Sequence, residues 1–180
     1  MRRTFKSTLA IALCASAIPM TGLRGYCGSD GIARAPFSQA GRSRMNPVQV
    51  QGAVDGHRVV RGKPFSVRLY VRIENGYHIN SNRPRDKFLI PTQVILKNTS
   101  DFTFMPAKFP PALDRKLEFS EDKLLVFEGE VQFEVPALGN REASLGHRTI
   151  SGSLKYQACD ESTCYPPKTI SFEIAVEVVQ

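Results

Sequence analysis

Two of the four cysteines in this 180-residue chain, Cys159 and Cys164, are separated only by Asp160-Glu161-Ser162-Thr163. Two thiols at that spacing can serve as a permanent staple, as part of a metal site, or as a pair that exchanges disulfides reversibly. As a staple, so short a loop stabilises a fold by only about 2 kcal/mol in the chain-entropy picture. As a metal site, the pair has only His57, His78 or His147 to recruit, and none stands at tight ligand spacing. As an exchanging pair, one thiolate attacks a partner disulfide and the second thiol resolves the mixed disulfide. Asp160 and Glu161 beside the pair tend to raise a thiol pKa by like-charge repulsion, so a strongly acidic thiol is not expected. At this point the staple and the exchanging pair both remain open.

The elements that must position these residues read as strands. Phe65, Val67, Leu69, Val71 and Ile73 alternate with Ser66, Arg68, Tyr70 and Arg72. Leu125, Phe127, Gly129, Val131, Phe133 and Val135 form a second such run, and Ile170, Phe172, Ile174, Val176 and Val178 a third. One wet and one apolar face is the pattern of a half-buried strand. Shorter candidates are 48–54, 93–96 and 149–156. Turn signals separate them: Asp55-Gly56, Arg61-Gly62, Asn75-Gly76, Pro110-Pro111, Leu138-Gly139-Asn140 and Pro166-Pro167. No window has a sustained helical period. This predicts an all-β domain, an immunoglobulin-like antiparallel β-sandwich or a barrel. Periodicity alone does not separate the two. The cysteine pair falls between the candidates 149–156 and 169–178, at a hairpin connection that can bring two Cβ atoms to disulfide distance.

The formal net charge of +7 would suit nucleic acid if it covered the fold. It does not: from Pro47 onward there are 17 basic and 16 acidic residues. The excess lies in residues 1–46, so nucleic-acid binding is not expected. Residues 1–20 begin with Arg2, Arg3 and Lys6 and continue with an apolar run, Leu9 to Ile18. That is the layout of a secretory signal peptide, with Ala15-Ser16-Ala17 as a cleavage triplet. Leu13 before Cys14 argues against a lipid anchor. Residues 21–46 read as a disordered linker holding a spare thiol, Cys27. The folded domain is expected at 47–180, exported to an oxidising compartment where paired cysteines can persist as disulfides. A hydrolase finds no support, because no serine stands in a nucleophile-elbow context and no phosphate-binding glycine loop is present.

The string Tyr156-Gln157-Ala158-Cys159-Asp160-Glu161-Ser162-Thr163-Cys164-Tyr165-Pro166-Pro167 resembles the active-site signature of the N-terminal periplasmic domain of the thiol:disulfide interchange protein DsbD. Gly76-Tyr77-His78-Ile79-Asn80, Phe88-Leu89-Ile90-Pro91-Thr92 and Phe127-Glu128-Gly129-Glu130-Val131 extend the resemblance over about residues 47–178. The resemblance implies an immunoglobulin-like sandwich and a disulfide-reducing electron relay in the periplasm, one that serves thioredoxin-fold partners, those of cytochrome c biogenesis included. It implies that Cys164 is the nucleophile that forms mixed disulfides and that Cys159 resolves them, with no cofactor and no metal. It makes Phe119 the candidate aromatic of a cap over the cysteines, against the reading of Phe119 as a core residue. It places His78, Asn80 and Tyr165 beside the pair, although an exposed turn position for His78 is the stronger expectation. The cysteine loop here is one residue shorter than in the prototype. The 180 residues hold no multi-span region and no thioredoxin domain, so the expected donor is a separate membrane or thioredoxin-like protein. A monomer is expected.

Overall fold

Side chains that alternate between water and core make strands, and strands must pair. In the computed structural model of the chain, residues 46–117 and 120–180 are described. They form twelve strands: β1 (Val48–Val54), β2 (Arg58–Val60), β3 (Pro64–Ile73), β4 (His78–Asn80), β5 (Gln93–Leu96), β6 (Phe102–Phe104), β7 (Leu113–Arg115), β8 (Leu124–Phe127), β9 (Glu130–Gly139), β10 (Gly146–Tyr156), β11 (Ala158–Cys159) and β12 (Lys168–Val179). The one helical element among the described residues is a 3-10 turn, Asp55–His57. No helix there is long and apolar enough to cross a membrane.

The strands form three four-stranded sheets. The first has the order β1-β3-β9-β6 and the second β2-β12-β10-β5. Their inner faces meet in one core, which includes Leu69, Val71, Phe133, Val135, Ile150, Leu154, Ile174 and Val176. This is the immunoglobulin-like sandwich. Gly52 allows the two layers to approach: a Cβ there would lie 2.6 Å from Ile174 Cδ1. Nearly all pairings are antiparallel, but β2 runs parallel to β12 at the edge of the second sheet.

The third sheet, β11-β4-β8-β7, carries Cys159. Its existence corrects the expectation of one continuous strand from Leu125 to Val135. The chain turns at Gly129, which has φ +63°, a conformation that favours glycine. β8 before the turn belongs to the third sheet and β9 after it to the first. The face changes as well. In β8 the buried residues are Leu124, Val126 and Phe127, while Leu125 is half-buried. Leu124 and Val126 pack with Leu117 and Leu89 in a small separate cluster, and Phe127 enters the main core.

An aromatic trio fastens the third sheet to the sandwich. The Phe109 and Phe133 rings are 4.8 Å apart, Phe127 and Phe133 5.3 Å, and Phe109 and Phe127 6.1 Å. Such contacts add to area burial. Phe133 is central to the trio and fully buried. Phe133→Ala is expected to destabilise the domain by about 3–5 kcal/mol in urea unfolding; a loss below about 1 kcal/mol would show that the trio is not what holds the third sheet in place.

Candidate functional site

β10 and β12 are the two arms of a long hairpin, registered from Gly146↔Val178 to Tyr156↔Lys168. The cysteines lie in the connection between them. Instead of turning tightly, the chain leaves β10 and adds the two-residue strand β11 to the third sheet. Ala158 pairs with Ile79, and Cys159 with His78. Cys159 is thereby fully buried. Cys164 stands opposite it as an isolated antiparallel bridge, with the two Cα atoms 4.0 Å apart and a disulfide joining the sulfurs. Cys164 is half-buried, and Glu161, Ser162 and Thr163 are exposed.

Two sets of hydrogen bonds hold this arrangement. The first belongs to the loop itself. Asp160 N–H donates to the Thr163 carbonyl at 2.9 Å, and Tyr165 N–H to the Ala158 carbonyl at 2.8 Å. The Asp160 carboxylate does the rest. Its Oδ1 accepts the Ser162 amide (2.9 Å), the Thr163 amide (2.8 Å) and the Ser162 hydroxyl (3.0 Å). Its Oδ2 accepts the Tyr165 hydroxyl at 2.5 Å. An aspartate that bonds backbone amides two and three residues on substitutes for a backbone turn. The Tyr165 hydroxyl and those amides hold the Asp160 carboxyl at about 2. The same bond to Asp160, with some burial, pushes the Tyr165 phenol up to about 12. The Tyr165 ring packs on Tyr77, with centroids 6.0 Å apart.

The second set ties the base of the loop to the segment 81–92. Gln157 Oε1 accepts from Asn80 Nδ2 and from the Ile90 amide, both at 3.1 Å. Gln157 Nε2 donates to the Tyr165 carbonyl at 3.2 Å. Asn80 Nδ2 also donates to the Ile90 carbonyl at 3.1 Å, and Thr92 Oγ1 to the Asn80 carbonyl at 2.5 Å. One glutamine side chain therefore joins β4, the 81–92 segment and the exit from the cysteine loop.

Residues 46–175 match the family described as thiol:disulfide interchange protein DsbD, N-terminal. The chain belongs to the DsbD N-terminal family. Among solved structures it is similar to the N-terminal periplasmic domain of ScsB from Proteus mirabilis, at 13 % identity and TM-score 0.50, over 76 % of this chain and 49 % of that one. It thus spans about half of the ScsB chain. It also matches the reduced DsbD N-terminal domain of Neisseria meningitidis, at 22 % identity and TM-score 0.39, over 62 % of this chain and 78 % of that one. The comparison with curated proteins finds no match.

Several predicted site residues of this DsbD-family domain come together. Cys159, Cys164, Tyr165, His78 and Asn80 all lie on or beside the third sheet's β11 edge. His78 is not an exposed turn residue: it is 3 % exposed, inside β4 and opposite Cys159. Its neighbours Asn75 and Gly76 do turn, but the strand begins two residues later. Burial pushes the His78 imidazole below its ordinary value. Glu128, Glu161 and Asp160 oppose that shift, and Arg115 reinforces it. Arg115 itself is engaged with Glu128 through two bonds, at 2.7 and 2.5 Å. Asn80 is also fully buried, and its Oδ1 has no partner. Phe119, the candidate cap, lies outside the described residues, as do residues 1–45 with Cys14 and Cys27. His57, in the 3-10 turn, and His147, in β10, stand on other elements. Among the described residues no group of three or more His, Cys, Asp or Glu could hold a metal ion. Gln157, Tyr77 and the turn-building role of Asp160 were missed by residue-type reasoning. Gln157 and Tyr77 did stand inside the recognised strings.

Asp160 is stabilised as its anion by folding. That contribution is complete above its ordinary pKa of 3.8 and is lost as the pH falls toward 2. Asp160→Asn is therefore expected to narrow the stability difference between about pH 5 and pH 2 relative to the unmodified domain, followed by urea unfolding. In the same variant the Tyr165 phenol should ionise nearer 10 than 12 in an ultraviolet titration. An unmoved phenol would show that the bond to Asp160 does not exist in solution.

Proposed function

We propose that this domain is a periplasmic electron relay: a separate membrane or thioredoxin-like donor reduces its Cys159–Cys164 disulfide, and the dithiol then reduces thioredoxin-fold partners. The observation that carries the reading is the inequality of the two sulfurs. Cys159 is locked in a strand and fully buried, whereas Cys164 is half-buried at the end of an exposed loop. A partner sulfur approaching in line with the disulfide has a route to Cys164 and none to Cys159. Cys164 is thus the attacking and attacked sulfur, and Cys159 resolves. Tyr165 and Asp160 act as positioning residues that set the loop. Family membership supports thiol–disulfide interchange and thioredoxin-like partners. Residues 1–20 act as the export signal and 21–46 as a linker to the domain at 47–180.

The staple reading fits less well. The bond joins two positions of a single hairpin connection and links no two layers of the sandwich.

In this reading reduced Cys159→Ser, mixed with an oxidised thioredoxin-fold protein, accumulates a mixed disulfide through Cys164 that is visible on a non-reducing gel. Cys164→Ser accumulates far less. The native disulfide also opens with dithiol reductant without denaturant. Resistance of the disulfide until the fold is unfolded would establish the staple and end the relay reading.

A further inference from the structure

A buried polar atom without a partner is costly, and each one asks for a physical reason. His78 Nε2 is such an atom: it is enclosed in a residue only 3 % exposed and makes no hydrogen bond. Its directly opposed cross-strand neighbour is Cys159, the fully buried half of the disulfide. Opposed residues of an antiparallel pair project to the same face, with Cβ atoms about 4.5–5.5 Å apart. A disulfide sulfur has no proton to give. A thiol has one.

We propose that His78 Nε2 is the acceptor for the Cys159 thiol proton: empty in the disulfide, filled in the dithiol, and used to remove that proton when Cys159 attacks. The proposal rests on the relay reading and specifies its resolving step. Reduction adds two electrons and two protons, and one of those protons makes the Cys159 Sγ–H that reaches Nε2. In resolution the Sγ–H bond gives its proton to Nε2. The sulfur's electron pair forms the bond to Cys164. The bond between Cys164 and the partner breaks, and the partner leaves as a thiolate with that bond's electrons. The imidazolium then releases its proton to solvent, and no outside oxidant is consumed.

The surroundings suit this role. Burial keeps the ring neutral at pH 7, the form in which one nitrogen offers a lone pair. The charged groups that act on it are Glu128 from the corner between β8 and β9, Asp160 and Glu161 from the cysteine loop, and Arg115 from β7. The three carboxylates favour a transient imidazolium, and Arg115 opposes it.

The test uses the chain with Cys14 and Cys27 replaced by serine, reduced and then mixed with dithiobis(nitrobenzoate). Attack by Cys164 releases one coloured thiolate, and attack by Cys159 on the resulting mixed disulfide releases a second. In the otherwise unmodified chain the second release should show an inflection below pH 6.5, the titration of His78. His78→Phe should slow the second release at pH 7 by at least about tenfold and remove the inflection, leaving a rate that simply rises with thiol ionisation. His78→Gln, which can accept a hydrogen bond but not a proton, should also lack the inflection. The first release should keep its rate in both variants. A second release unmoved by His78→Phe, or a profile of the unsubstituted His78 chain without the inflection, overturns the role of His78 alone; this last measurement needs no variant to fold. Absence of any release from the native reduced chain overturns the relay reading and the His78 role with it.

Discussion

The cysteine site depends on one short stretch of backbone pairing, that of Ala158 and Cys159 with Ile79 and His78. A two-residue strand is weak alone. Here it is fixed because it prolongs β10, which is itself paired along its whole length with β12. The sandwich thus sets the position of Cys159 through continuous chain, with no flexible joint between core and sulfur. Everything after Cys159 has to return to β12 within nine residues, and it does so without further sheet. A disulfide placed across this boundary has one sulfur that belongs to the sheet and one that belongs to the loop.

The polar contacts respect the same boundary. Gln157, Asn80 and Thr92 satisfy backbone groups on the sheet side, where the groups are buried or half-buried and an unmade bond would be costly. Asp160 organises the loop side, where its partners are exposed. The Gln157 Nε2 bond to the Tyr165 carbonyl and the Tyr165 amide bond to Ala158 cross from one to the other. The loop can therefore change its shape by giving up a few solvent-exposed bonds, while the buried set stays intact. Local opening of this kind draws on regions with few buried apolar contacts.

The long strands were legible because period two shows itself over seven residues or more: β1, β3 and β12 lie where alternation puts them. The third sheet was not, because its strands have two to four residues. A pattern of that length has no period to read. The continuous reading of Leu125 to Val135 failed for a related reason. Alternation carried through Gly129, and nothing in residue type showed that this glycine adopts a positive φ and sends the two halves to different sheets. The cysteine pair was visible from spacing. Its buried neighbour His78 was masked by the turn signal immediately before it. Gln157 could not be read at all from residue type, since its partners Asn80 and Ile90 lie 77 and 67 residues away in sequence. Asp160 was read as a charge beside the thiols; that its carboxylate also builds the turn, accepting two amides and a phenol, was not legible from residue type.

Among the described residues no helix stands near these sulfurs, and that bears on their chemistry. Cysteines are made acidic by helix N-termini or by adjacent cations. Among the described residues neither stands against this pair. Asp160 and Glu161 follow Cys159 in the loop, and the Arg115 guanidinium that acts on neighbouring His78 is engaged by Glu128. Cys159, fully buried, is screened from whatever diffuses past. It reacts when a second group takes its proton or when a bound partner holds a disulfide in line with it. Selectivity then comes from geometry, and a rigid β-sandwich that fixes one sulfur to the sheet is suited to provide it.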